Sequence, residues 1–187
     1  MRHLPNLISL IRLGLVWPVA WGLVNGHYRL ALACFVIAGL SDGLDGLLAR
    51  RFDWASKLGK VLDPVADKLL LMTVFILCAW RGLTPWWLAG AAVVRDLTIG
   101  GGAILFRALV GPLHGQATGI SKINTLVQLV YLVSVMTHAI WDRPPRELVN
   151  VLVGVVLVTT VLSGADYVIR FARRAMAAPG GRARHPF

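Results

Sequence analysis

Apolar positions run through this chain in long blocks broken by short polar or turn-forming stretches. The blocks are too long for strands and too continuous for the one-sided stripe of a helix bordering water. Read between turn signals, they predict six helices, at about 6–25, 29–49, 63–80, 85–106, 120–141 and 147–169. Two uncharged runs, Ile123 to Trp141 and Leu148 to Ala165, approach the roughly 20 residues needed to cross a bilayer core. The expected fold is therefore all-α, a polytopic membrane protein of six transmembrane helices. The first block holds Arg12, lacks a small-x-small cleavage site and runs into Asn25-Gly26-His27, so it reads as a retained helix and not a cleaved leader.

Composition sharpens this picture. Of 187 residues, 57% are hydrophobic and 15% charged, which excludes disorder, collagen and a secreted disulfide scaffold. Cys34 and Cys78 lie in apolar stretches without histidine at metal-ligand spacing and read as small buried hydrophobes. The formal net charge of +10 raises nucleic acid as a partner, but its distribution argues otherwise. Twelve Lys and Arg fall at the amino terminus, the second-to-third and fourth-to-fifth connections and the tail, against four on the other side. By the positive-inside rule both termini face the cytoplasm, in the inner membrane of a cell, and no nucleic acid is needed to explain the charge. Trp86, Trp87 and Trp141 then fall at the outer interface as anchors. Residues 1–176 read as one membrane domain and 177–187 as a basic mobile tail able to touch anionic lipid headgroups.

Against this background the acidic residues stand out. Four of the nine, Asp42, Asp45, Asp63 and Asp67, cluster near one connection. The uncharged run before Asp42 is too short to span alone, so the second helix continues through both acids toward Ala49. That puts them about 10 Å and 6 Å from its cytoplasmic end. The third helix starts near Asp63, with Asp67 one turn deeper. Spacings of three and four residues put each pair on one helix face, so two antiparallel helices bring four carboxylates to one depth. Carboxylates kept in a membrane helix default to function, and a dense all-oxygen set suits Mg²⁺ or Mn²⁺, with room for two ions. For Asp63 a second reading is open, as the cap of a helix that has Pro64 at its first position. Gly43, Gly46 and Gly59 fit close helix packing or the approach of a phosphate; Arg50 and Ser56 offer groups for phosphate oxygens or a base edge.

The residues Asp42, Asp45, Gly46, Ala49, Arg50, Gly59, Asp63 and Asp67 meet every fixed position of Asp-x-x-Asp-Gly-x-x-Ala-Arg, eight residues, Gly-x-x-x-Asp-x-x-x-Asp. In this the chain resembles the CDP-alcohol phosphatidyltransferases, in their glycerophospholipid branch, over essentially its whole length. The resemblance implies an enzyme that transfers a phosphatidyl group from CDP-diacylglycerol to an alcohol and releases CMP. It assigns Asp42, Asp45, Asp63 and Asp67 as ligands of two divalent metals, with Asp67 also the general base. Gly46, Arg50 and Ser56 fall where the family contacts the CDP moiety. The opening Leu4-Pro5-Asn6-Leu7-Ile8-Ser9-Leu10-Ile11-Arg12 resembles the start of the same branch, with Ser9 where threonine is usual. Asn6, Ser9 and Arg12 thus form a polar stripe able to face the nucleotide, the alternative being ordinary interhelical hydrogen bonding. A homodimer is implied by the resemblance alone.

For the acceptor, Arg95 and Lys122 are candidate phosphate ligands, with Thr125 beside them in Ser121-Lys122-Ile123-Asn124-Thr125. Arg95 and Asp96 are adjacent on a helix, where side chains point apart, so a mutual ion pair is not expected. Asp166 and Arg170, four apart, are expected to pair. His114 and His138 are read as structural or solvated. Arg-Asp in the fourth helix and Ser-Lys-x-Asn-Thr-x-x-Gln in the fifth look more like cardiolipin synthases, which use phosphatidylglycerol. Phosphatidylglycerophosphate synthases, which use glycerol 3-phosphate, more often show a second lysine where this chain has Asn124. An ion or proton transporter also places carboxylates in membrane helices, but near the midplane and in repeated halves, neither of which is evident here.

Overall fold

The computed structural model describes residues 4–52, 59–109 and 118–177, with side chains over 10–41, 65–102, 118–171 and at 173. Six helices follow in chain order: α1 (Leu4–Val24), α2 (Tyr28–Phe52), α3 (Gly59–Trp80), α4 (Trp86–Leu109), α5 (Gly119–Trp141) and α6 (Arg146–Ala177). No strand occurs among the described residues. The all-α expectation holds, and each predicted helix has its counterpart. Most ends agree within three residues, and two move further. α6 continues to Ala177, eight residues beyond the predicted end. α3 begins at Gly59, so Asp63 lies inside the helix, and the reading of Asp63 as its cap does not stand. Proline near a helix start suggested the first position; here Pro64 falls in the second turn, where it withholds the N–H that would donate to residue 60.

Three short connections, 25–27, 81–85 and 142–145, gather at one end of the bundle. There Arg81 Nε donates to the Tyr28 hydroxyl at 3.1 Å and the Arg29 guanidinium lies 5.9 Å from the centre of the Trp141 ring. α1 packs on both α2 and α3, while α4 joins α3 to α6 and α5 joins α6 to α2. At the first connection Gly22 lets two backbones approach: a Cβ there would stand 3.1 Å from Ala31 N and 3.2 Å from His27 O. Gly26, at φ +75°, turns the chain in the left-handed region that a side chain disfavours.

The core is apolar, built on Val19, Leu23, Phe35, Leu71, Val74, Phe75, Leu88, Tyr131 and Leu132. Cys78 belongs to it, and Cys34 is half-buried at its margin. Polarity is otherwise inverted relative to a protein in water. Arg12, Arg95, Asp96, Asn124 and Gln128 are each 5% exposed or less, whereas Trp17, Leu40, Val94, Leu126 and Val151 are more than 60% exposed. Large apolar side chains on the exterior, with a few polar ones bonding across helices inside, are the arrangement lipid favours. Two helices, Gly119–Trp141 and Arg146–Phe171, are long and apolar enough by themselves to cross a membrane among the described residues. Leu10–Val24 and Tyr28–Ser41 are shorter apolar stretches.

Candidate active site

α2 and α3 carry the acidic motif, and their register relates it to the core. Among the described side chains of α2 the buried ones are Ala31, Phe35 and Ala38, and the same three-to-four step reaches positions 42 and 45. Along α3, Leu71, Val74 and Cys78 are buried, and one step back toward the helix start reaches 67 and then 63. The four aspartate positions thus prolong the core-facing stripes of two helices, both of which pack on α1. Asp67 is half-buried. The side chains of Asp42, Asp45 and Asp63 lie outside the described residues. As a donor set, four carboxylates at the ends of two helices fit a hard divalent cation.

The other expected substrate contacts divide similarly. Arg12 is buried on α1, 1% exposed, at the helix that contacts both α2 and α3. Asn6 and Ser9 lie on α1, and Gly46 and Arg50 on α2, with their side chains outside the described residues, as is Ser56 altogether.

Beside the motif, α3 to α6 are joined by a polar cluster. Lys68 Nζ donates to Asp96 Oδ1 at 2.5 Å, and Arg95 Nη1 donates to the same oxygen at 2.5 Å. Arg95 Nη2 donates to Ser121 Oγ at 2.7 Å and also to Ser163 Oγ. The expectation that Arg95 and Asp96 point apart is therefore overturned. Their Cβ atoms do diverge, but the guanidinium is carried on a stem long enough to fold back, and both side chains are only 3% exposed. In a desolvated interior a cation settles on the carboxylate within reach, because leaving it without one costs several kcal/mol.

This cluster bears on the acceptor candidates. Arg95 is buried on α4, and both its terminal nitrogens are engaged within the protein. Lys122 is exposed, and the Thr125 hydroxyl donates to the Ser121 carbonyl of its own helix at 3.2 Å. Asn124 is fully buried, and its Oδ1 accepts from Thr160 Oγ1 at 3.0 Å, bridging α5 to α6. Arg170 and Asp166 pair as expected, at 2.7 Å. His138 Nδ1 lies 2.8 Å from the Pro144 carbonyl, a structural role at the α5–α6 connection, and His114 lies outside the described residues. Sequence reasoning passed over Lys68 and Ser163. The available signal was Lys68 immediately following the last motif aspartate, and Ser163 lying one helical turn from Thr159 and Thr160 on one side and Asp166 on the other.

Residues 2–166 match the sequence model of the CDP-alcohol phosphatidyltransferases, and the chain belongs to that family. Among its curated relatives, a probable cardiolipin synthase (CMP-forming) of Drosophila melanogaster is 34% identical over 179 residues, covering 86% of this chain and 56% of that protein. A chloroplastic CDP-diacylglycerol–glycerol-3-phosphate 3-phosphatidyltransferase 1 of Oryza sativa subsp. japonica is 32% identical, covering 90% of this chain and 57% of the relative. The cardiolipin synthase (CMP-forming) of Homo sapiens is 29% identical, covering 88% and 60%. The chain thus spans little more than half the length of these relatives. With its two membrane-length apolar helices and its inverted polarity, it reads as a membrane protein.

Proposed function

We propose that this chain transfers a phosphatidyl group from CDP-diacylglycerol to a glycerol-type alcohol, releasing CMP, and that its acceptor is phosphatidylglycerol. The reaction class rests on the family and on the four aspartate positions that prolong the core stripes of α2 and α3. The acceptor rests on one observation: Asn124, where a second lysine would favour a doubly charged acceptor, is buried and its carbonyl oxygen is occupied by Thr160. It serves a helix–helix contact and offers no charge to a phosphomonoester. The similarity to the rice enzyme, whose name specifies glycerol 3-phosphate, supports that acceptor as the second reading.

In this reading Gly46, Arg50 and Ser56, with Asn6, Ser9 and Arg12 on α1, hold and orient the cytidine diphosphate portion. Asp42, Asp45, Asp63 and Asp67 hold two divalent cations, Mg²⁺ or Mn²⁺, which when bound neutralise the pyrophosphate. Asp67 accepts the proton of the acceptor hydroxyl as its oxygen bonds to the phosphorus bearing diacylglycerol. The bond from that phosphorus to the CMP phosphate oxygen breaks, and CMP leaves with the electron pair. All six helices are proposed to span the bilayer, with both termini and this site at the cytoplasmic face of a cell's inner membrane, and the protein to work as a homodimer among its lipids.

Purified protein given CDP-diacylglycerol and Mg²⁺ or Mn²⁺ is expected to release CMP with phosphatidylglycerol and far more slowly with glycerol 3-phosphate. The reverse preference would remove the reading of Asn124 and leave the aspartate chemistry standing. Asp67→Asn is expected to lower CMP release by about a thousandfold or more, as loss of a general base does, while the protein elutes as the wild type does; full activity would remove Asp67 as the base.

A further inference from the structure

The cluster of Lys68, Asp96 and Arg95 is not part of the proposed chemistry, yet it sits one residue from Asp67. Two cations meet one carboxylate oxygen, and Asp96 and Arg95 are almost wholly buried, while the Lys68 side chain is 32% exposed. Buried ion clusters are seldom kept for stability, since apolar residues of similar volume generally serve as well or better. What such a cluster does provide is direction, because a charged hydrogen bond has one geometry where an apolar contact has many.

The direction matters at this place in α3. Consecutive helical residues are about 100° apart, so fixing the azimuth of Lys68 fixes that of Asp67. Asp67 continues the buried stripe of Leu71, Val74 and Cys78, and Lys68 is turned from it toward α4. The turns before Asp67 are the ones in which Pro64 withholds a backbone donor, so the helix ladder restrains them less. Asp96 is in turn held by Arg95, which is anchored on Ser121 of α5 and Ser163 of α6. A single chain of contacts therefore runs from three other helices to the residue adjoining Asp67.

We infer that Asp96 is a positioning residue for phosphatidyl transfer, acting through Lys68 to set the rotation of α3 and hence the placement of Asp67. The inference rests on the reading of Asp67 as the base. Misplacing a reacting group by about 1 Å costs about a hundredfold in rate, with little effect on binding elsewhere.

The decisive variant is Lys68→Met, which leaves the Arg95–Asp96–serine contacts in place and removes a partly exposed group. Its kcat for CMP release is expected to fall roughly 10- to 100-fold, with KM for CDP-diacylglycerol within about twofold of wild type and an unchanged thermal midpoint in detergent. Lys68→Arg, which keeps charge and reach, is expected to recover most of the lost kcat. Asp96→Asn is expected to show the same kcat loss, and the double variant to be no worse than either single one. Wild-type kcat in Lys68→Met overturns the inference, as do losses that multiply in the double variant. Should Asp96→Asn fail to fold, the Lys68→Met and Lys68→Arg pair decides alone. Asp67→Asn, assayed alongside, separates the two readings. Full activity there overturns the base and with it this route, whereas an inactive Asp67→Asn beside a wild-type Lys68→Met overturns the positioning only.

Discussion

At Gly22 the absence of a side chain has a measurable consequence. A methyl group there would meet Ala31 N at 3.1 Å, Ala31 Cβ at 3.2 Å and His27 O at 3.2 Å, and two of these are backbone atoms, one in α2 and one in the turn leading into it. Gly22→Ala is therefore expected to destabilise the protein by about 1–3 kcal/mol, the usual cost of overpacking a tight contact. Gly14, where a methyl group would find nothing within 4 Å, is the control. Gly14→Ala is expected to be neutral or stabilising by up to about 1 kcal/mol, from helix propensity alone. Reversible denaturant titration of both in one detergent distinguishes them, and equal responses would show that the α1–α2 approach is looser than described. None of this was legible in the sequence, where both glycines stand in apolar helical stretches. The same holds for Arg95 and Asp96. Adjacent positions say where two Cβ atoms point, but whether a long side chain folds back depends on which other partners its surroundings offer.

For the elements, legibility was higher. Blocks of apolar residues and their punctuation gave six helices in their observed order, because backbone groups deprived of water must bond within their own segment. The start of α3 is the exception: Pro64 favours the first position of a helix by frequency, but the helix has already been entered at Gly59. Partner choice between elements was not legible. The polar positions 121, 124 and 131 of α5 turn toward other parts of the bundle, where Arg95 of α4 donates to Ser121, Thr160 of α6 donates to Asn124, and Tyr131 donates to Thr84 of the 81–85 connection. For one of these links the energetics can be tested directly. Removing one partner of a buried hydrogen bond strands the other, whereas replacing both with apolar groups of like shape does not. Asn124→Leu and Thr160→Val are each expected to cost about 1–3 kcal/mol, and the double variant less than their sum. Additive losses, in the same titration, would mean the two side chains act independently.

On the scale of the whole molecule, many large apolar side chains are exposed among the described residues, and the sequence divides Lys and Arg unequally between alternate connections. The motif aspartates stood out in the sequence because carboxylates are rare in such a chain; their depth and joint arrangement belong to the proposal. If all six helices span, the connection at 53–58 and the connection at 142–145 lie on opposite faces of the membrane, with the former on the side holding most Lys and Arg. Arg143, in the latter, is exposed, so Arg143→Cys offers a reporter that disturbs no packing, and Ala55→Cys serves for the other connection. With Cys34 and Cys78 replaced by alanine, a membrane-impermeant maleimide applied outside intact cells is expected to label Arg143→Cys at once. Ala55→Cys is expected to label only after the membrane is opened. Labelling of both from outside would leave α3, α4 and α5 crossing an even number of times, which removes the six-span topology. Labelling in the reversed order would keep the spans but turn the aspartates outward, away from a cytoplasmic supply of CDP-diacylglycerol. Only the first pattern places the basic end, the motif and the proposed chemistry on the cytoplasmic side.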